Sequence, residues 1–123
     1  MSRQKGYIGE EIAIKYLKNK NFNFICKNYY SKYGEIDIIF EDLQYIIFAE
    51  VKMRKKNSLV RGIESISAKK QENIIKTAYI YLEKFKKIKQ PRFDVIIIEY
   101  DYKVNIKSIN HIENAFGVVS QNS

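Results

Sequence analysis

The stretch Gly34–Arg54, "GEIDIIFEDLQYIIFAEVKMR", contains two apolar runs separated by a short polar segment. Two runs of this kind are typical of neighbouring antiparallel strands joined in a hairpin. Three charged residues, Asp37, Glu50 and Lys52, interrupt the runs in the most hydrophobic part of the chain. A model of this hairpin must therefore explain its charges as well as its core.

The register of the hairpin follows from its apolar positions. A turn centred between Leu43 and Gln44 joins predicted strands over residues 35–41 and 45–52. Three pairs then form one wholly apolar face: Ile36 with Val51, Ile38 with Ala49, and Phe40 with Ile47. A slip of one residue would mix apolar and charged side chains on both faces, so this register is favoured.

The charged residues fall on the opposite face in this register. Asp37 lies opposite Glu50, with Cβ atoms about 4.5–5.5 Å apart, and Glu35 lies opposite Lys52. Two facing carboxylates need a proton or a positive counter-charge. A hard cation such as Mg²⁺ would supply that charge, held by both carboxylates and approached by the Val51 carbonyl. The alternative is a solvated ladder of ion pairs that includes Lys52.

The rest of the chain predicts two helices and three further strands. The helices are predicted over residues 4–20 and 66–86, the strands over 22–31, 92–100 and 103–110, and a basic loop over 53–62. The order αβββαββ indicates an α/β fold in which helices pack on a mixed sheet. The length of 123 residues predicts a single domain over residues 1–123.

Composition limits the classes of function. A formal charge of +8 favours a polyanionic partner, nucleic acid first and a membrane surface second, although a genome-wide compositional tilt is an alternative. No apolar run approaches the roughly 20 residues of a membrane span, and the first residues lack the apolar segment of a signal peptide. Cys26 is the only cysteine, so an intrachain disulfide is excluded. We therefore expect a cytoplasmic protein.

Several blocks of the sequence resemble a known family. Asp37 and the triplet Glu50-Val51-Lys52 resemble the D…(D/E)xK signature of the restriction-endonuclease-like, or PD-(D/E)xK, nuclease superfamily. From Gly6 to about Phe116 the chain is similar to the YraN-like family of small bacterial proteins. The blocks, in order, are "GYIGEEIAIKYL", "KNYYSKYGEIDIIF", "IIFAEVKMR", "KKQENIIKTAYIYL" and "RFDVIIIE". This family is in turn similar to Holliday-junction resolvases.

The resemblance implies a restriction-endonuclease-like α/β domain with an αβββαβ core and a site that uses Mg²⁺ or Mn²⁺. Asp37 and Glu50 would bind the metal, and Lys52 would position or activate the attacking water. Glu10, which follows Gly6 and Gly9, would complete the acidic cluster and join the metal ligands. Lys70 and Gln71 match second-helix positions that face the site in related nucleases. Ala49, where valine is more usual, is a departure on the core face.

The function implied is that of an endonuclease that hydrolyses DNA phosphodiester bonds. Five basic residues are expected to contact the nucleic-acid backbone: Arg54, Lys55, Lys56, Arg61 and Lys69. Three tyrosines are candidates for stacking on bases: Tyr29, Tyr30 and Tyr33. The alternatives are a catalytically silent nucleic-acid-binding module and a protein-interaction subunit. A homodimer is left open, and no membrane partner is expected.

For single residues, ordinary structural roles are alternatives to these functional ones. Glu10 fits a solvated glutamate near the start of a helix, stabilised by the helix dipole. Lys70 falls in an otherwise apolar helical row and fits a lysine that extends past the edge of the core. His111, the only histidine, is expected in a surface or edge role, and one His with one Cys cannot form a zinc site.

Overall fold

The αβββαββ order predicted from the sequence, with its αβββαβ core, is confirmed. The computed structural model describes residues 3–57, 66–102 and 105–117. Its elements are α1 Arg3–Asn19, β1 Asn23–Ser31, β2 Gly34–Glu41, β3 Tyr45–Lys55, α2 Ala68–Lys84, β4 Gln90–Asp101 and β5 Asn105–Phe116. Strand β3 extends three residues beyond its predicted end, into the segment predicted as a loop. Neither of the described helices is long and apolar enough to cross a membrane.

The five strands form one mixed sheet in the order β1-β2-β3-β4-β5. Neighbouring strands are antiparallel except β3 and β4, which are parallel. A parallel pair needs a crossover connection, and α2 lies in it. The apolar strand β4 is paired on both sides, as its continuous hydrophobic sequence predicts.

The two helices cover opposite faces of the sheet. Alternate residues of β3 face different helices, so each face has its own apolar core. The α1 core contains Ala13, Ile14, Leu17, Ile38, Phe40, Ile47, Ala49, Val51, Ile96 and Ile98. The α2 core contains Ile36, Ile39, Ile46, Phe48, Ile66, Ile74, Ala78, Tyr81, Leu82, Phe93, Val95 and Ile97.

The predicted hairpin register is confirmed next to the turn and wrong at its far end. Ile38 pairs with Ala49 and Phe40 with Ile47, as the alternation predicts. Ile36, however, packs in the α2 core, whereas Ile38 packs in the α1 core. The β2–β3 pairing ends at Ile38, so the predicted pairing of Ile36 with Val51 does not form. The alternation breaks at the single residue between these two isoleucines, Asp37.

Helix α1 lies very close to β3 at Gly9. A Cβ atom at this position would lie 2.9 Å from Cγ of Met53 and 3.4 Å from Cγ1 of Val51. The first distance is shorter than real carbon–carbon contacts, so only glycine permits this approach without a shift. The close contact holds this part of α1, and with it the neighbouring Glu10, against the sheet.

We therefore predict that Gly9→Val is destabilising. Overpacking a filled core typically costs about 1–3 kcal/mol, and the clash with Met53 adds no compensating contact. Lys15→Val is the matched control because it places the same β-branched side chain at an exposed site of the same helix. Urea unfolding should show a clearly lower free energy of unfolding for Gly9→Val than for Lys15→Val. Equal values would contradict the close approach.

Candidate active site

Asp37 and Glu50 lie at the point where β2 and β3 separate. Oδ2 of Asp37 accepts a hydrogen bond of 2.8 Å from the backbone N–H of Val51. Oε2 of Glu50 accepts a longer one, of 3.3 Å, from the backbone N–H of Asp37. Each carboxylate thus bonds to the backbone of the opposite strand. The structure brings together the two carboxylates that the hairpin register places opposite each other.

Burial makes the charged forms of both carboxylates unfavourable. The Glu50 side chain is only 1% exposed, and this burial, together with the charge of Asp37, raises the pKa of Glu50 to about 8. Burial also raises the pKa of Asp37 to about 6, against the lowering effect of the hydrogen bond from Val51. Near neutral pH the pair therefore favours a proton or an added positive charge over two free negative charges.

Two lysines supply positive charge next to this pair. Lys70, in the first turn of α2, places Nζ 3.4 Å from Oε1 of Glu50, and its side chain is 46% exposed. Burial and the nearby Lys70 ammonium lower the pKa of Lys52, while Glu50 and Asp37 oppose that effect. The Lys70 ammonium therefore lies beside the carboxylates, although the helical pattern predicts an apolar residue at this position.

A second group of carboxylates adjoins the first. Single carboxylate oxygens of Glu10, Glu35 and Asp37 lie within 4.8 Å of one another. The amide of Asn28 connects two of them, since its Nδ2 donates to Oε2 of Glu10 at 3.1 Å and to Oε1 of Glu35 at 2.6 Å. Burial raises the pKa of Glu10, and the charge of Glu35 adds to this effect. Glu10 is therefore part of the acidic cluster and not a solvated first-turn residue.

Two residues at this cluster, Glu35 and its partner Asn28, were not predicted as site residues from the sequence. Glu35 was assigned to a pair with Lys52, but its Oε1 is bonded to Asn28 instead. Its position two residues before Asp37 on the same strand was a usable signal. Asn28 gave no signal in the sequence. Its backbone is left-handed, with φ of 55°, a conformation that asparagine tolerates better than most residues.

Two other predicted site residues make different contacts. Gln71 donates from Nε2 to the Ile66 carbonyl at 3.0 Å, so its amide bonds near the start of α2 and not to the carboxylates. Val51 directs its N–H to Asp37, and its side chain lies in the α1 core. The role of the Val51 carbonyl as a metal ligand stays a prediction.

The predicted backbone-binding residues continue from the site along β3. Arg54 is partly buried, and Lys55 and Lys56 are exposed at the end of the strand. Lys69 is 72% exposed on α2, with Nζ 3.7 Å from Glu72. Arg61 lies outside the described residues. We refer to the four described members, on β3 and its end and in the first turn of α2, as the basic border.

The expected surface or edge role of His111 is confirmed for the edge, although its side chain is buried. It does lie on an edge strand, β5, but its side chain is 3% exposed and its Nε2 is 2.7 Å from Oδ2 of Asp94. Arg92 donates to both oxygens of the same carboxylate, at 3.0 and 2.8 Å. The ring of His111 packs edge-on against Tyr16 and Phe22. Its burial follows from this bond to Asp94.

The raised pKa of Glu50 predicts that the metal-free protein loses stability as the pH rises. The folded state keeps a proton that the unfolded chain releases between the ordinary pKa of 4.5 and about 8. The contribution of Glu50 to stability is therefore greatest below this window and falls across it. Urea unfolding in EDTA at several pH values should show this fall in wild type, and Glu50→Gln should reduce it.

The exposed residue Glu83 provides the control for this measurement. Glu83→Gln removes a carboxylate of the same type from a solvated site and should leave the pH dependence of unfolding unchanged. If Glu50→Gln had the same pH dependence as wild type, the buried and uncompensated charge assigned to Glu50 would be wrong.

Comparison with known proteins places the chain in a family. The protein-family model described as "Uncharacterised protein family UPF0102" matches residues 9–98 of the sequence. A UPF0102 protein of Persephonella marina is 44% identical over 113 residues, which cover 91% of this chain and 92% of the relative. One of Clostridioides difficile is 43% identical over 116 residues, which cover 94% and 98%. The YraN-like resemblance agrees with these matches. The chain belongs to the UPF0102 family.

Proposed function

We propose that this protein is a metal-dependent nuclease of the PD-(D/E)xK superfamily that hydrolyses DNA phosphodiester bonds. The observation that carries the proposal is the pair of buried carboxylates, Asp37 and Glu50, each bonded to the backbone of the opposite strand. Buried acids with strongly raised pKa values are concentrated at functional sites, because a fold gains little stability from them. Lys52 lies two residues after Glu50 on the same strand, which completes the superfamily signature.

The residues present fit Mg²⁺ or Mn²⁺. The donors are carboxylate oxygens, which these hard cations prefer, and those of Glu10, Glu35 and Asp37 are already within 4.8 Å of one another. Asp37 and Glu50 would hold the ion, with Glu10 and the Val51 carbonyl as further ligands. When bound, such an ion polarises a phosphate and lowers the pKa of a coordinated water.

Lys52 would act on the charge that develops during hydrolysis. Its ammonium is partly buried among charged neighbours, where an electrostatic interaction is stronger than in bulk water. Lys52, whose pKa is lowered by burial and by Lys70, lies two residues after Glu50 on the same strand. It is therefore suited to orient the attacking water and to stabilise the negative charge of the transition state.

The basic border would bind the DNA backbone. The exposed Lys55 and Lys56 follow the site along β3, Arg54 precedes them, and Lys69 extends from α2. Contacts of this kind supply affinity and orientation but no direct sequence choice. The charge of +8 is consistent with such binding.

One observation favours the alternative of a catalytically silent nucleic-acid-binding module. The Lys70 ammonium, 3.4 Å from Glu50, partly neutralises the pair, and Asn28 bonds to both Glu10 and Glu35. These contacts let the site exist without a metal. A silent module would bind DNA with the same border but would gain neither stability nor activity from a divalent ion.

The metal is tested by thermal stability. Mg²⁺ or Mn²⁺ should raise the melting temperature of wild type by mass action, because the ion binds only the folded site. Asp37→Asn should abolish this rise and stabilise the metal-free protein, because it removes a buried charge while keeping an acceptor for the Val51 N–H. Glu83→Gln should respond to metal as wild type does. An equal metal response in wild type and Asp37→Asn would refute the site.

The chemistry is tested at Lys52. Lys52→Ala should lower the single-turnover rate of DNA cleavage by about 100-fold or more, a typical loss for one transition-state donor. DNA affinity should change little, since many other lysines contact the backbone. Lys52→Arg should not restore the rate, because a guanidinium is planar and larger and spreads its charge.

Lys107→Ala is the matched control for this experiment. It removes the same charge from an exposed position on β5, away from the carboxylates, and should cut at the wild-type rate. Thermal unfolding of each preparation separates a lost catalytic group from a lost fold. A folded Lys52→Ala protein that cuts as fast as wild type would remove Lys52 from the mechanism.

A further inference from the structure

A cavity of about 280 Å³ lies between the β1–β2 turn and the first turns of α2. Its volume is close to the lower end of the roughly 300–1,000 Å³ that is usual for small-molecule pockets. The turn contributes Tyr33 and Gly34 to its wall, and α2 contributes Lys69 and Asn73. The cavity is therefore large enough for one planar heterocycle, and polar, aromatic and aliphatic side chains line it.

The cavity is contiguous with the candidate active site. Glu35 lines the cavity and belongs to the cluster of three carboxylates. Lys70 lines it too, and the same side chain pairs with Glu50. A nucleotide whose phosphate lies at the carboxylates would thus have the cavity beside it.

A hydrogen bond joins the end of β1, two residues before Tyr33, to α2. The Ser31 hydroxyl lies 2.6 Å from the hydroxyl of Thr77, which is fully buried in α2. The same Ser31 oxygen accepts the backbone N–H of Tyr33 at 3.0 Å. Gly34 follows with φ of 154°, a backbone conformation that residues with a Cβ atom rarely adopt. Tyr33 is therefore held in place at the cavity.

Tyr33 is exposed, whereas Tyr29 is partly buried. The side chain of Tyr33 is 38% exposed, with the ammonium groups of Lys32 and Lys76 5.2 and 5.0 Å from its ring centroid. Tyr29, the earlier stacking candidate, packs edge-on against Tyr81 of the α2 core, with ring centroids 5.2 Å apart. Of these two rings, only Tyr33 combines exposure with a neighbouring cavity.

We propose that this cavity binds one unpaired nucleobase, stacked on Tyr33, of the strand that the active site cuts. The inference rests on the proposed nuclease function and assigns its substrate class: nucleic acid with unpaired nucleotides at the cleavage point. A base within a duplex is stacked and paired and cannot enter a pocket.

The neighbouring groups suit such a base. Stacking on an aromatic ring is stronger than an exposed cation–π contact, so a base can displace Lys32 or Lys76 from Tyr33. The displaced ammonium groups remain next to the strand and can contact its phosphates. The Asn73 amide, with both a donor and an acceptor, can bond to the edge of the base.

The test measures binding without cleavage. Fluorescence anisotropy in EDTA gives the affinity of the purified protein for a labelled single-stranded oligonucleotide and for a blunt duplex of the same sequence. Tyr33→Leu should weaken single-strand binding by about 10-fold to 100-fold, the effect expected from losing one stacked base. Duplex binding should change less than about twofold, because it rests on backbone charge. Tyr33→Phe keeps the aromatic face and should bind the single strand nearly as wild type does.

Tyr79→Leu is the matched control, because Tyr79 is 47% exposed on α2 and does not line the cavity. It should bind both DNAs as wild type does. Equal losses for Tyr33→Leu on single strand and duplex, or equal effects of Tyr33→Leu and Tyr79→Leu, would overturn the proposal. A melting curve for each variant excludes unfolding as the cause, and Tyr33→Phe tests the ring if Tyr33→Leu does not fold.

The outcome is separable from that of the nuclease proposal. A protein that binds single strands through Tyr33 but cuts no DNA with Mg²⁺ or Mn²⁺ would support the cavity as a base-binding site and refute the nuclease. A protein that cuts DNA but binds single strands equally with and without the Tyr33 ring would refute the cavity alone.

Discussion

Two carboxylates, Asp37 and Glu50, share one gap between neighbouring strands, and the surrounding structure depends on how that charge is accommodated. A continued β2–β3 ladder would leave both acids without donors. Instead the strands separate, and each acid accepts a backbone N–H from the opposite strand. The separation reverses the side-chain alternation of β2, so that Ile36 and Ile38 enter different cores. A local requirement for hydrogen bonds thus changes the packing on both faces of the sheet.

The charge of another buried acid, Asp94, is fully compensated by neighbouring groups of the chain. Burial alone would raise its pKa, but hydrogen bonds from His111, Arg92 and the Asn114 backbone N–H outweigh that effect and hold the pKa below its usual value. Glu50 is almost equally buried, yet burial and the charge of Asp37 raise its pKa, because one long hydrogen bond and one half-exposed lysine do not offset them. Asp94 is stabilised by its own chain, whereas the positive charge near Glu50 compensates that carboxylate only in part. That difference, and not burial itself, distinguishes a structural acid from one that is suited to bind a cation.

The features of the fold that were predicted correctly are those that depend on the alternation of side chains along a strand. The pairing of Ile38 with Ala49 was predictable because a slip would expose a whole apolar face. Ile36 was misplaced because a bond between a side chain and the backbone breaks the alternation, and periodicity carries no information about such a bond. The edge position of His111 was predicted, but its burial was not, because its strand is polar. The usable signal was elsewhere: Asp94, inside an apolar strand, had to find donors, and His111 supplies one of them.

The residues of the candidate site also differ in whether they could be predicted from the sequence. The place of Lys70 at the site could be predicted, because a charged residue in an otherwise apolar helical row needs a partner of opposite charge. Asn28 was not, because its role depends on a left-handed backbone and on contacts with residues far apart in the sequence. These two residues also explain how the fold tolerates its acids before any ligand binds. One is half-exposed and the other is uncharged, so neither compensates the cluster fully. Under the proposed function, a cation therefore competes with the half-exposed ammonium of a lysine and with a neutral amide, and the apolar cores on the two faces of the sheet need not open to admit it.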